Sequence, residues 1–400
     1  MLDSNDKVLN TSNLLFKGGN KQPPLLFNKG WKEGLYNHQK EAVVSVLTEG
    51  SGVLKLATGS GKTWIIGELC RKIRCYKHIL IVASKIDLLN QIYDVLVEYL
   101  KDETITIDRI GDGNKKDIWA DITVGLVGTL NKITNLDLIE YVIYDECHKY
   151  INDSGISLYS KLANVKLITA LSATPYTDDP YINDLTIKLY GPLLYELTEK
   201  EAIELGCIST PIIHFYKAPG AYCSPKFINC TFSHFAYNIQ INSLIINNKG
   251  RNELIVKLVC HNKPTVIIVN KVNTTKNNHA AILKNLIEAK YPHKIVHIVK
   301  GGDIKGLADI NKPNCILIAG PNILTEGTDL PLLEVVVLAA ANSSTTLLLQ
   351  RVGRVLRKSF TKQYGEIIDF IDPIGWPAGQ SIKRLNTYKQ VYGEENITIV

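Results

Sequence analysis

Along this chain, short and nearly unbroken apolar runs alternate with longer stretches whose apolar residues recur at helical spacing. Runs at residues 53–56, 79–83, 122–127, 141–144 and 165–171 carry few polar side chains, the mark of strands buried on both faces. Between them, Ile65, Ile66, Leu69 and Ile73 share one helical face, and Leu88, Ile92, Val95 and Leu96 share another, with Asp87 placed to cap that helix. Strand and helix in alternation predict a mainly parallel sheet flanked by helices. The pattern restarts near Thr265. Runs at 265–269, 295–299, 316–319, 335–339 and 366–370 read as strands, and 279–291 and 345–357 as helices. The expected fold class is therefore α/β, with two sheets in tandem.

Length agrees, because 400 residues exceed one ordinary core. Residues 1–30 are polar, with Gly18-Gly19 and Pro23-Pro24, and read as a lead-in or small accessory element. The first α/β domain spans 31–200. Residues 201–250, with Pro219-Gly220, Pro225 and many Asn, read as a connecting or accessory segment, 251–375 as the second domain, and 376–400 as a tail.

Composition narrows the class only slightly. A hydrophobic content of 45% with 21% charged residues excludes wholesale disorder. The net charge of +6 favours an anionic partner. Eight cysteines without a CxxC pair argue against a zinc module and a secreted disulfide framework. The opening Met1-Leu2-Asp3-Ser4-Asn5-Asp6 lacks the basic and apolar regions of a signal peptide, and no run approaches the ~20 apolar residues that span a bilayer. A cytoplasmic protein without membrane contact is expected, in the host cytoplasm if viral.

The chemistry concentrates at two strand ends. Thr58-Gly59-Ser60-Gly61-Lys62-Thr63 follows the run at 53–56 and opens a helix. Gly59 and Gly61 let backbone N–H groups approach phosphate oxygens, and the helix N-terminus adds a favourable dipole. Lys62 would reach the β- and γ-phosphates and Thr63 would ligate Mg²⁺. The general eight-residue pattern has Gly where this chain has Leu56. The run at 141–144 then delivers Asp145 and Glu146. One carboxylate suits Mg²⁺, and the next suits orienting and deprotonating the attacking water.

These residues resemble those of the superfamily 2 helicases. Asp145-Glu146-Cys147-His148 is similar to their DEAD/DEAH box, with Cys147 in place of the usual Ala, and that superfamily tolerates a non-glycine first position in the phosphate loop. Leu35-Tyr36-Asn37-His38-Gln39 resembles the upstream glutamine motif, implying that Gln39 reads the adenine edge, with Tyr36 where relatives often carry Arg. Ser84-Lys85 with Gln91, Gly111-Asp112-Gly113 and Gly128-Thr129 resemble the loops that touch the nucleic-acid backbone. Ser172-Ala173-Thr174-Pro175 resembles the motif that couples hydrolysis to strand movement.

In the second half, Gln350-Arg351-Val352-Gly353-Arg354-Val355-Leu356-Arg357 places Gln350, Arg354 and Arg357 on one helical face and Arg351 away from it. It resembles motif VI, which implies that Arg354 and Arg357 are arginine fingers. Leu324-Thr325-Glu326-Gly327-Thr328-Asp329-Leu330-Pro331 resembles motif V, with Thr325 at the backbone of the nucleic acid and Gly327 and Asp329 facing the nucleotide. The resemblance covers about residues 31–372. Its layout is similar to that of phage UvsW-like and related repair-type helicases, including Gly191-Pro192, Tyr195-Glu196, Glu201-Ala202, Gly206, Asn248 and Arg251-Asn252.

The resemblance implies two RecA-like domains with ATP between them, Mg²⁺ as cofactor, and a monomer that moves on single-stranded or branched DNA, with RNA–DNA hybrids as a further candidate. Three alternatives stay open: an RNA helicase, the motor subunit of a restriction or remodelling complex, and a non-catalytic nucleic-acid clamp.

Overall fold

The structure, a computed structural model, describes residues 30–111, 117–272, 278–299, 309–310, 312–321, 332–340, 348–349, 352–353, 355–356, 362 and 364–400. The chain divides after Thr198 into two compact units. Among the described residues, no helix is long and apolar enough to cross a membrane.

The first unit is built on seven strands: β1 (Gly52–Leu56), β2 (Ile79–Ala83), β3 (Ile107–Ile110), β4 (Ile122–Leu126), β5 (Tyr141–Asp145), β6 (Leu167–Ser172) and β7 (Leu193–Leu197). Their order is β3-β4-β2-β5-β6-β1-β7 and every neighbouring pair is parallel. The inner strands are buried along almost their whole length, so each must be apolar on both faces. Helices α1 (Asn37–Glu49), α2 (Lys62–Lys72) and α3 (Ile86–Tyr99) lie among those that flank this sheet. Asp87 does not cap α3. Lys85 occupies the cap position with extended backbone, and Asp87 lies in the first turn, where its charge still favours the helix dipole.

A buried ionic cluster fixes α2 against α3. Glu68 is fully buried, and Arg71 grips its carboxylate through Nε and Nη2 at 2.8 Å each. The Tyr99 hydroxyl donates to Glu68 Oε2 at 2.7 Å, and Lys72 lies over the Trp31 ring. A buried carboxylate is tolerated because its oxygens meet these donors.

The second unit repeats the plan with β8 (Thr210–Lys217), β9 (Thr265–Ile268), β10 (Ile295–Val299), β11 (Cys315–Ala319), β12 (Val335–Leu338), β13 (Tyr364–Ile371) and β14 (Ile397–Ile399). The order is β10-β11-β9-β12-β13-β8-β14, again all parallel. Residues 210–217, placed by sequence in a connecting segment, are thus an inner strand of this sheet. Residues 376–400, expected as a tail, contain most of the helix Gly375–Tyr392 and all of β14.

Fully buried Arg251 lies at the C-terminal side of this sheet. It donates from Nε to Asp372 Oδ1 at 3.0 Å and from Nη1 to the Ala339 carbonyl at 2.8 Å, and it sits over the Phe370 ring. Arg384 makes a second buried pair with Asp369.

Candidate nucleotide site

Because all strands of the first sheet are parallel, the loops that follow β1, β5 and β6 leave from one edge, the edge where open α/β sheets bind ligands. After β1 the chain runs through Ala57–Gly61 into α2. Gly59 and Gly61 have φ of +89° and +84°, a left-handed conformation that side chains resist. At Gly61 a Cβ would also strike the Gln39 amide. The Thr58 and Ser60 hydroxyls are buried without a hydrogen-bond partner, an arrangement that suits a polar ligand at the loop.

The glutamine motif supports this loop from α1. Gln39 Nε2 donates to the Ser60 carbonyl at 3.1 Å, and His38 Nε2 lies 2.9 Å from the same oxygen. Gln39 Oε1 accepts from the Tyr36 N–H at 3.0 Å. Both ends of the Gln39 amide therefore brace the phosphate loop and its own helix start. Tyr36 presents its ring to solvent, 57% exposed, and stacks on His38 with ring centroids 5.7 Å apart. His38 was missed as a site residue, although it stands inside the motif itself.

At the end of β5, Asp145 is buried and its Oδ1 has no hydrogen-bond partner. Burial first, then the charge of Glu146, push this carboxyl up to about 7 against the pull of Lys62. Lys62 Nζ lies 3.3 Å from Glu146 Oε1. Burial also drives Glu146 upward, but Lys62 and His148 outweigh it and hold that carboxyl below its ordinary range. Glu146 itself has φ +51°, a conformation that costs a non-glycine residue roughly 1–3 kcal/mol and persists where surrounding contacts impose it.

Those contacts are visible. The Cys147 carbonyl accepts from the Tyr190 hydroxyl at 3.3 Å, and Tyr150 donates to the Val82 carbonyl at 3.1 Å. Tyr144 packs against both rings. Sequence reading did not single out these tyrosines, since each meets its partner only across the sheet.

The strand end after β6 joins the same network. Ser172 Oγ lies 2.8 Å from His148 Nδ1 and a long 3.5 Å from Glu146 Oε2, and it accepts from the Thr174 N–H at 3.0 Å. Burial, opposed by Glu146, holds His148 below its ordinary value. Ala173 and the Thr174 hydroxyl are buried beside it, the latter without a partner. One hydrogen-bonded chain thus links Lys62, Glu146, Ser172 and His148.

Ser84 and Lys85 follow β2, Gly111 follows β3, and Thr129 lies in the short helix after β4. The parallel order sends all of them to the same edge, on the other half of the sheet. Lys85 is exposed, Thr129 is half-buried, and a Cβ on Gly111 would press 3.1 Å from Leu126 and Leu89. Gly113, Thr325, Gly327, Asp329, Gln350, Arg354 and Arg357 lie outside the described residues.

Among the described residues, no group of three or more His, Cys, Asp or Glu side chains could cage a metal. Thr63 and the unpartnered Asp145 oxygen instead fit Mg²⁺, which is commonly held by one or two protein oxygens together with substrate phosphates.

Residues 32–177 match the family model "Type III restriction enzyme, res subunit", and residues 250–359 match "Helicase conserved C-terminal domain". The chain is 27% identical over 370 residues to the ATP-dependent DNA helicase uvsW of Enterobacteria phage T4, covering 88% of this chain and 70% of that protein. It is 25% identical over 389 residues to putative helicase 22 of a Sulfolobus islandicus filamentous virus, covering 89% of this chain and 66% of that protein. In fold it is similar to S. cerevisiae Dbp5 bound to RNA and ADP BeF3, with TM-score 0.62 and 17% identity, covering 91% of this chain and 89% of that one. It is also similar to a putative HsdR fragment of a type I restriction enzyme from Vibrio vulnificus, with TM-score 0.65 and 18% identity, covering 93% and 69%. With two RecA-like parallel sheets, a glycine loop braced by Gln39, an Asp-Glu-Cys-His strand end tied to Ser172 and two helicase-family models matched in succession, the chain is similar to the superfamily 2 helicases.

Proposed function

We propose that this chain is an ATP-driven motor on DNA that remodels branched structures such as forks, junctions, D-loops or R-loops. The observation that carries the reading is the chain from Lys62 through Glu146 to Ser172 and His148. It joins the residue that would touch the γ-phosphate to the loop resembling the coupling motif. Lys62, Thr58, Gly59, Ser60 and Gly61 hold the triphosphate, and Tyr36 with Gln39 flanks the base. Glu146 orients and deprotonates the attacking water, and its lowered pKa keeps it ionised and able to take that proton. Thr63 and Asp145 would hold Mg²⁺, which would neutralise phosphate charge. Gln350, Arg354, Arg357, Gly327 and Asp329 enter on sequence resemblance alone, as the second unit's contribution to the same reaction.

Ser84, Lys85, Gly111, Gly113, Thr129 and Thr325 are proposed to meet the sugar-phosphate backbone. Such contacts carry no base information, so binding should be sequence-tolerant and weaken steeply with salt. Phosphate release is measured with and without single-stranded DNA, duplex DNA and RNA. Stimulation by DNA is expected, and a rate indifferent to every nucleic acid would sink the motor. Stimulation by RNA alone would select an RNA helicase. Unwinding on forked, four-way and R-loop substrates then tests the branched-DNA part. The restriction-enzyme family match favours one second reading, a motor subunit whose nuclease is a partner, and co-purification of that partner would reveal it.

A further inference from the structure

The second unit carries a helical element that the nucleotide chemistry does not use. It comprises the helices Pro225–Ile228 and His234–Gln240, a wide-turn helical segment at Ile241–Ile246, and the first turns of the helix Gly375–Tyr392. It has its own small core of Cys223, Ile241, Leu244, Ile245 and Ile246. Buried Gln240 binds the pieces together, donating to the Phe227 carbonyl at 2.5 Å and accepting from the Trp376 N–H at 2.8 Å. Gln240 thus ties three stretches of chain together into one base beneath the rings.

On that base sits an aromatic surface. Phe235 is 71% exposed and Phe232 45%. Phe232 meets the Trp376 ring at 5.3 Å and Tyr237 at 6.0 Å, while Phe235 meets Phe227 at 6.1 Å. Large rings held so openly are costly unless something covers them.

Charge says what kind of partner fits. From residue 205 to 252, and again from 373 to 393, the sequence contains no Asp or Glu, yet it carries Lys217, Lys226, Lys249, Arg251, Lys383, Arg384 and Lys389. Some of these cations are committed inside the fold, as Arg251 and Arg384 show, but nothing acidic from these segments faces the rings. Exposed Asn229, Thr231 and Ser233 add neutral hydrogen-bonding groups beside them. Rings and neutral polar groups on segments free of carboxylates suit stacked bases with a phosphate backbone, as in proteins that bind single strands.

We infer that Phe232 and Phe235 form a base-stacking surface for unpaired DNA, a binding site on the second unit separate from the nucleotide loop. The inference rests on the DNA-motor reading, which supplies the single strand. The test is fluorescence anisotropy of the full chain with labelled oligothymidylate and with a labelled hairpin duplex. Phe232→Ala with Phe235→Ala should weaken oligothymidylate binding by about tenfold or more, since stacking contributes roughly 1–3 kcal/mol per base. Duplex affinity, melting temperature and ATP hydrolysis without DNA should stay near wild type, and Phe235→Tyr should restore binding. Unchanged oligothymidylate affinity, or an equal loss on duplex, would overturn the stacking surface while wild-type DNA-stimulated hydrolysis left the motor standing. Wild type that neither binds DNA nor responds to it would remove both. Photocrosslinking of iodouracil-substituted oligonucleotide to the unaltered chain checks the same point, with adducts on Phe232 or Phe235 expected and adducts exclusively elsewhere contradicting it.

Discussion

Glu146 combines an unfavourable backbone conformation, an ion pair with Lys62 and a reach toward Ser172. Its substitution therefore separates binding from chemistry. Glu146→Gln keeps the shape but removes the base, so ATP turnover should fall by at least about 100-fold while nucleotide affinity changes only a few-fold. Single-turnover hydrolysis and nucleotide titration together check this, and parallel losses in both would refute the assignment. Ser172→Ala cuts the link to His148 and leaves the phosphate loop intact. Basal hydrolysis should then survive better than DNA-stimulated hydrolysis, measured as the ratio of the two rates. That Lys62, Glu146, Ser172 and His148 come together at one sheet edge was legible beforehand, because each stands in a short run at the end of an apolar strand. The bracing by His38, Tyr150 and Tyr190 was not, because each hydrogen bond closes over a long sequence separation.

Elements were legible in proportion to their burial. The inner strands β2, β5, β9 and β11 fall within a residue of their apolar runs. The missed strands β3, β7, β8 and β14 each expose part of their length, and a strand with a wet face or a free edge has no continuous apolar run to display. Burial also makes one helix pair sensitive to acid. His279, at the start of the helix His279–Lys290, lies 3.1 Å from Asn252 Oδ1 on the helix Lys249–Leu258. Burial, helped by Arg251, lowers its pKa to about 3 from an ordinary 6.5. A lowered histidine contributes stability that is fully present above the unfolded value and lost as pH falls from about 6.5 toward 3. The loss should reach the order of 4 kcal/mol at the acid end. His279→Gln, which can still donate to Asn252, should flatten the fall in melting temperature across that window. An unchanged acid slope would show that other groups dominate it.

At the scale of the whole molecule, each sheet has its own helices and its own buried ion pairs, and the chain divides after Thr198. A fragment ending at Thr198 should accordingly melt cooperatively and retain nucleotide binding, while failing to hydrolyse ATP at the full chain's rate. Circular dichroism and nucleotide titration of the fragment decide this, and a fragment without a melting transition would rule out independent folding. The sheet order of the second unit has a further consequence, for synthesis. Strand β8 is the first of that sheet to be made, yet it pairs with β13 and β14, which are the last. At typical elongation of ~5–20 residues per second, the interval from Lys217 to Tyr364 lasts roughly seven to thirty seconds. For that time Ile213 and Phe215, fully buried in the finished sheet, have no strand to lie against. The newborn chain must be shielded there, by the ribosome or a chaperone, and slower translation should lower its soluble yield.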